Sequence, residues 1–485
     1  MKKIFFLASA LLLSAISVNA RVYVQTANEN DPKWNTAIIG ENAKVITFTS
    51  VADLPTTGEK EIWFAAGTYT FDAAFNIAQY DAVMAGGFQG TETSLEQREM
   101  IAGGKAYDFA YETILHGLGT SRLIHNDANK YRTSFDGLTM SGFAFEGSGA
   151  IASLKGTAAN VVAVRNCKCL DNKATDGGSF HLYNGCAVIE NCYFEGNIAT
   201  RQGGAIYSNI SSQELVIRNC CFINNEAQIS DNNAGGAVHF QNAGTLQVAG
   251  CWFEGNTAPN LGQGAALSNN GKNTANVVAN NVFVNNVANV EGGKCVVLME
   301  HGMFYYNTLV ENEGGAALWQ KAGICKNNVF WATDLEKARH SLGEGTVYTH
   351  NAGVRTWAEG ADASNIVIST SNTLMVGDVE GTLYANFVNP EAKNFALAQG
   401  SALIGRGEAI EGITTDILGA ARKTADMGAY AFDGTSTGVE NTAAEPVDIR
   451  AALEAGEVYT LLGQRVSEVK AGNIYIVGGH TVLVR

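Results

Sequence analysis

The sequence predicts an all-β chain: a single-stranded parallel β-helix followed by a small C-terminal β module. Three observations carry this. A pattern built around one core aromatic recurs at steps of 24, 25, 28, 31, 30, 26 and 21 residues between Phe145 and Phe330. The pieces between turns are strand-sized, apolar and without helical period, the mark of a solenoid in which each repeat is one coil. Gly outnumbers Pro by 54 to 5, and 28 Asn fall within residues 160–330. Both Gly and Asn tolerate left-handed backbone, so this composition supplies many tight turns.

Residues 1–20 read as a secretory signal. Lys2 and Lys3 precede a largely apolar run from Ile4 to Ile16, and Val18-Asn19-Ala20 offers small residues for cleavage. The run is too short to span a bilayer, and no later stretch is long and apolar enough, so the mature chain is expected to lack a transmembrane helix. The formal charge is 32 − 47 = −15, and −17 once Lys2 and Lys3 are removed. Such a surface repels phosphate, which excludes nucleic acid as a partner. With 46% hydrophobic and 16% charged residues, the chain is not disordered.

The expected order is a signal peptide (1–20), an N-terminal cap region (21–60), the β-helix (61–432), a linker (433–446) and the C-terminal module (447–485). Within the helix, stretches such as NCYFEGNIATRQGGAIYSN at 191–209 and GCWFEGNTAPNLGQGAALSN at 250–269 align. They give a core aromatic column of Phe145, Cys169, Phe194, Phe222, Phe253, Phe283, Leu309 and Phe330. Two residues earlier runs Phe143, Cys167, Cys192, Cys220, Cys251, Asn281, Asn307 and Asn328, on the same strand face. Five residues before the aromatic lie Val164, Ile189, Ile217, Val248 and Val278. Three residues after it stand Ser148, Asn172, Asn197, Asn225, Asn256, Asn286 and Asn312, expected to bond coil to coil from left-handed turns. An Ala column (Ala150, Ala174, Ala199, Ala227, Ala258, Ala288) and a Gly-Gly pair complete the unit. The stacked Cys fit buried thiols, although adjacent coils would also allow disulfides. No CxxC pair or Cys/His quartet with ligand spacing occurs, so neither a metal nor another cofactor is expected.

The FxxN…GGA pattern, closest in FEGNIATRQGGAIY, resembles the repeats of chlamydial polymorphic outer-membrane proteins and related bacterial surface β-helices. EIWFAAGTYTF at 61–71, AGGFQGTETSLEQRE at 85–99 and ETILHG at 112–117 resemble opening coils of secreted right-handed, pectate-lyase-like β-helices. SALIGRGE at 401–408 and TTDILGAARKTADMGAYAF at 414–432 resemble their closing coils. In the tail, Leu-Gly-Gln-Arg-Val and Gly-Asn-Ile-Tyr-Ile-Val resemble the C-terminal sorting signal of type IX secretion cargo. His480-Thr481 stands where that family commonly has Lys-Lys. Gly478-Gly479 is placed as a hairpin turn. The resemblance implies an exported, cell-surface or extracellular protein whose tail engages secretion machinery.

Catalytic signals are sparse. Hydrolysis of a glycosidic bond needs two carboxylates at fixed separation. The Asp residues of 160–330 are only Asp171, Asp176 and Asp231, and the one repeated carboxylate column is Glu195 with Glu254, two coils apart. His116-Gly117 and His301-Gly302 are isolated. No catalytic residue is therefore assigned. An outward column of His181, Tyr207, His239 and Ser268 offers rings and polar tips at equivalent positions. His181, Tyr207 and His239 are the candidate contact strip for an extended glycan or a surface protein. Arg201-Gln202 and Glu300-His301 are further candidates near turns. The expected function is non-enzymatic adhesion or glycan contact, with a polysaccharide lyase or glycoside hydrolase as the alternative.

Overall fold

The computed structural model describes residues 21–434, except 57, 59–60, 78–80, 127–129, 212, 229–233, 261, 290–293, 360 and 375–377. It also describes 458–460, 466, 474–477 and 480–483. The signal segment, most of the linker, Asp231 and Gly478-Gly479 lie outside the described residues. The chain divides into two units, 1–436 and 437–485. In the second, Val458–Thr460, Ile474–Val477 and His480–Leu483 pair antiparallel.

The first unit is a parallel β-helix. Among the described residues, its strands form sheets of 19, 12 and 6 members, each pairing with its equivalent one coil away. A typical coil runs through Ile206–Ser208 and Glu214–Arg218 of the long sheet, Cys221–Ile223 of the twelve-strand sheet and Glu226–Ala227 of the six-strand sheet. Pairing begins with Arg21–Thr26, which lies between Lys44–Phe48 and Glu61–Ala65, so residues 21–60 contribute strands to the long sheet.

One residue type per column explains the stacking. Phe194, Phe222, Phe253 and Phe283 are wholly buried. Their rings lie nearly parallel, with centroids 4.9, 4.8 and 4.8 Å apart, within the usual range for aromatic pairs. Cys167, Cys192, Cys220 and Cys251 stack beside them as free thiols. Each donates to the carbonyl two residues earlier, at 3.0 to 3.4 Å. Burial pushes the Cys192, Cys220 and Cys251 thiols well above the usual range, which keeps them neutral.

The Asn column is a ladder. The backbone N–H of Asn172, Asn197, Asn225, Asn256 and Asn286 each donates to Oδ1 of the next rung, ending at Asn312, over 3.0–3.1 Å. From Asn281 the Cys column becomes a second ladder through Asn307, Asn328, Asn351 and Asn365. The left-handed residue is not the rung, as expected from sequence, but the one before it: Asp171, Gly196, Asn224, Gly255, Asn285 and Glu311. That turn aims the following carboxamide inward, where it closes the hydrogen bonds of a buried corner. The Gly-Gly pair has two separate causes. Gly203 is left-handed, and a Cβ on Gly204 would collide with the Gly236 carbonyl of the next coil.

Two expectations about register fail. In the first aligned coil the core partner of Cys169 is Met140, not Phe145. Phe143 takes the Asn rung, its N–H donating to Asn172 Oδ1 at 3.1 Å. Phe145 pairs with Ala174 and is half exposed, so Ser148 and Ala150 also leave their assigned columns. Phe-Ala-Phe copies the two-residue spacing of Cys-Tyr-Phe, which hides a shift of five positions. Second, residues 401–432 are not closing coils. Beyond Ile366–Val367 the chain forms an antiparallel pair, Phe387–Asn389 with Asn394–Leu397, and runs back along the twelve-strand sheet. Tyr306 Oη donates to the Glu408 carbonyl at 2.8 Å, Asn280 Nδ2 to the Thr415 carbonyl at 2.9 Å, and Gly428 N to the Asn327 carbonyl at 2.7 Å. The outward positions there are Val282, Val284, Val310, Val329 and Trp331, and the return segment covers them with Phe387, Phe395, Leu397, Met427 and Tyr430. An apolar outer face must be covered, and this segment covers it.

Candidate functional site

The expected contact strip exists as a column but not as an exposed surface. His181 pairs with Tyr207, Tyr207 with His239, and His239 with Ser268. The rings stack with centroids 5.2 and 5.7 Å apart. His181 Nδ1 meets Ser153 Oγ at 3.0 Å, and Tyr207 Oη donates to Gln241 Oε1 at 3.1 Å. His181 and Tyr207 are half-buried, but His239 and Ser268 have no exposed surface, so His239 cannot touch a glycan. Strand alternation correctly points this column away from the core. It does not report that His239 lies between the Tyr207 ring and Ser268 with no exposed surface left. Burial pulls His181 and His239 down to about 4, against the opposing pull of Asp176. Among the described residues neither ring nitrogen of His239 has a hydrogen-bond partner.

Of the further candidates, Arg201 and Glu300 are engaged within the chain, whereas His301 Nδ1 is buried with no hydrogen-bond partner among the described residues. Arg201 grips the buried Asp176 carboxylate with two guanidinium nitrogens. Glu300 pairs with Lys321 at 2.6 Å.

An open, aromatic-lined surface lies elsewhere, on the outer face of the twelve-strand sheet. Its outward positions follow two registers: Lys168, Tyr193, Cys221, Trp252 and Leu170, Glu195, Ile223, Glu254. A loop reaches over one end. Lys168 Nζ meets Asp108 at 3.0 Å and Glu112 at 3.4 Å. Burial works against the Lys168 charge, but these carboxylates outweigh it and hold its pKa above the usual value. Tyr107 of the same loop packs on Tyr193, ring centroids 5.5 Å apart, and its hydroxyl reaches Cys221 Sγ at 3.8 Å. At the other end the return segment begins: Phe395 stacks on Trp252 at 6.0 Å and Lys393 pairs with Glu254. Between the two covers lies a pocket of about 520 Å³, lined in part by Tyr107, Asn219, Cys221, Trp252, Leu418 and Tyr430, within the size range of ligand clefts.

Each carboxylate beside the pocket is held. Tyr193 Oη donates to Glu195 at 3.1 Å, and Trp252 Nε1 donates to Glu254 at 2.8 Å. Burial raises the Tyr193 and Tyr107 phenols above their usual range and pushes Tyr430 up to about 12, so all three stay protonated donors. Chemically, the arrangement offers ring faces, hydroxyl donors and one cation, Lys105, at the rim.

Residues 191–209 match the Chlamydia polymorphic membrane protein (Chlamydia_PMP) repeat. No curated protein is matched. The matched stretch holds Tyr193 of the groove, Phe194 of the core, Asn197 of the ladder, the Gly203-Gly204 turn and Tyr207. Among the described residues no helix is long and apolar enough to cross a membrane, and no group of His, Cys, Asp or Glu is placed to hold a metal.

Sequence reasoning missed the groove. Its signal was the residue just before each core aromatic (Lys168, Tyr193, Cys221, Trp252, Val282), a column that changes from amphipathic to apolar along the helix.

Proposed function

We propose that this chain is an exported surface β-helix that contacts a glycan through the groove around Tyr193 and Trp252. The observation that carries the reading is one open stretch of outer sheet, floored by Cys221 and Ile223 and bounded by Trp252, Tyr430 and Tyr107, which packs on Tyr193, between two covers. Stacking on ring faces and bonding to hydroxyls is how aromatic side chains with polar tips hold sugars. The Chlamydia polymorphic membrane protein repeat supports a surface location, and the tail's resemblance to a type IX sorting signal supports delivery there. The groove replaces the His181–Tyr207–His239 strip as the contact surface; His181 and Tyr207 keep only partial access. The test is a glycan array probed with the full chain and with Tyr193→Ala/Trp252→Ala. Binding by the parent and its loss in the double variant are expected; no binding, or equal binding by both, overturns the reading.

A second reading rests on Glu195 and Glu254. With Ile223 between them in register, they stand two strand spacings apart, roughly 9.6 Å at the backbone. This is close to the upper separation for inverting glycoside hydrolysis. Reducing-end release from array hits, abolished by Glu195→Gln, would favour it.

A further inference from the structure

We propose that the groove reads a single sugar ring presented at a chain end or branch, inserted across the helix axis, and not a chain laid along it. This rests on the glycan reading above and narrows the class of ligand.

The pocket exists because two adjacent columns each lose a rung, in two successive coils. In the outward column, small Cys221 stands between Tyr193 and Trp252. In the neighbouring left-handed column, Asn166, Asn191 and Asn219 are followed by Gly250 and then Asn280. The first three asparagines are joined side chain to side chain, each bond 3.3 Å long. At Gly250 the chain of amides stops. Asn219 Oδ1 faces the place a Gly250 Cβ would occupy, 2.7 Å away, and accepts no hydrogen bond among the described residues.

The hole is short along the axis. Tyr107 on Tyr193 closes one end, and Phe395 on Trp252 closes the other. The Tyr193 and Trp252 positions are two strand spacings apart, roughly 9.6 Å. The gap above Cys221 between Tyr107, packed on Tyr193, and Trp252 has room for one ring, with Trp252 offering its face for stacking. An extended chain running along the axis would have to pass through Tyr107 and Phe395. The polar groups at the rim suit one ring's hydroxyls: Asn219 Oδ1 as acceptor, with Lys105 as donor. Leu418, largely exposed at the mouth, adds an apolar edge.

Cys221 reports on occupancy, because its thiol lines the pocket. Cys186, also half-buried and bonded to Gln213, lies outside it and serves as an internal reference. The experiment treats the full chain with iodoacetamide and follows both peptides by mass spectrometry. The probes are methyl glycosides of glucose, galactose, mannose, N-acetylglucosamine and fucose, and the tetrasaccharides bound on the array. The expected result is one methyl glycoside that competes with the array and, at four times its Kd, slows Cys221 alkylation about fivefold without slowing Cys186. Cys221→Phe, which refills the rung, should fold and lose array binding. If only tetrasaccharides compete, Cys221 alkylates at an unchanged rate and Cys221→Phe still binds, the single-ring inference is wrong while the glycan reading stands. If the array shows no binding at all, the glycan reading itself fails and takes this inference with it.

Discussion

Asn225 Oδ1 accepts two hydrogen bonds from Asn197, the backbone N–H at 3.1 Å and Nδ2–H at 2.9 Å. Asn225 Nδ2 in turn donates to the Phe194 carbonyl and to Asn256 Oδ1, both at 3.0 Å. All these groups are buried, so Asn225→Ala leaves two donors on Asn197 without an acceptor. Each orphaned buried group costs about 1–3 kcal/mol. Asn225→Ala should therefore destabilise by at least about 2 kcal/mol, measured by denaturant unfolding, with faster amide exchange at Asn197 than in distant coils. A change below about 0.5 kcal/mol would mean water replaces the rung without loss.

Phe222→Ala removes a ring stacked on both faces, between Phe194 and Phe253. Truncations of this kind cost about 3–5 kcal/mol. Coils touch only their neighbours, so the weakness should stay local. Limited proteolysis should cut first near residue 222, and cutting spread evenly along the chain would count against local coil stability.

His181, His239 and His340 are each held down to about 4 by burial, against an unfolded value near 6.5. Between these values the unfolded chain binds more protons than the folded one, so stability falls as the pH falls. The full contribution is present above pH 6.5 and is lost progressively toward pH 4. Asp176 opposes the shift for His181 and His239, whereas Arg122 and Arg201 reinforce it for His181, and Arg355 does so for His340. His239→Phe keeps a stacked ring without a titrating group. It should lose less stability than the parent between pH 7 and 4.5 in thermal melts; parallel curves would remove His239 from the account.

Gly250→Asn should restore the missing rung. Gly250 is left-handed at φ 67°, a conformation Asn tolerates and Asn219 and Asn280 share. The atom nearest the new Cβ is the movable Asn219 Oδ1. A gain of about 0.5–1 kcal/mol is expected from the restored bond, with slower alkylation of Cys221 as the pocket narrows. A drop in melting temperature would show that the side chain does not fit the gap.

Removing residues 447–485 should leave the protein in the periplasm, if the tail is the sorting signal its sequence resembles. Cell fractionation and surface labelling decide the matter; undiminished surface display of the truncated chain would reject that role.

The stacking was legible in sequence wherever one residue type repeats on one side of a strand. Phe194, Phe222, Phe253 and Phe283, and Asn197 to Asn286, were assigned to their columns because a ring or a carboxamide can only be satisfied by its like one coil away. Phe143 and Phe145 were misplaced because their spacing alone imitates the motif. The groove was not legible, since it is defined by what is missing at Cys221 and Gly250 and by where two distant segments stop covering the sheet. Alternation placed His239 on the outer side of its strand, but enclosure there depends on contacts beyond the strand that a local pattern does not contain.

The return of residues 387–432 along the twelve-strand sheet constrains how the solenoid can change length. Thr415 is tied to Asn280, Glu408 to Tyr306 and Asn327, and Gly428 to Asn327. Inserting or deleting one coil between Asn280 and Asn327 would slide these anchors out of step by about 4.8 Å, and a segment of fixed length could not follow. The coils from Lys168 to Cys221 carry a second strap: the loop bearing Tyr107 and Asp108 is fixed to Lys168, Tyr193 and Cys221, so a coil gained or lost among them would break these contacts as well. Both the C-terminal half of the helix and the part that holds the groove thus behave as a splinted rod of set length.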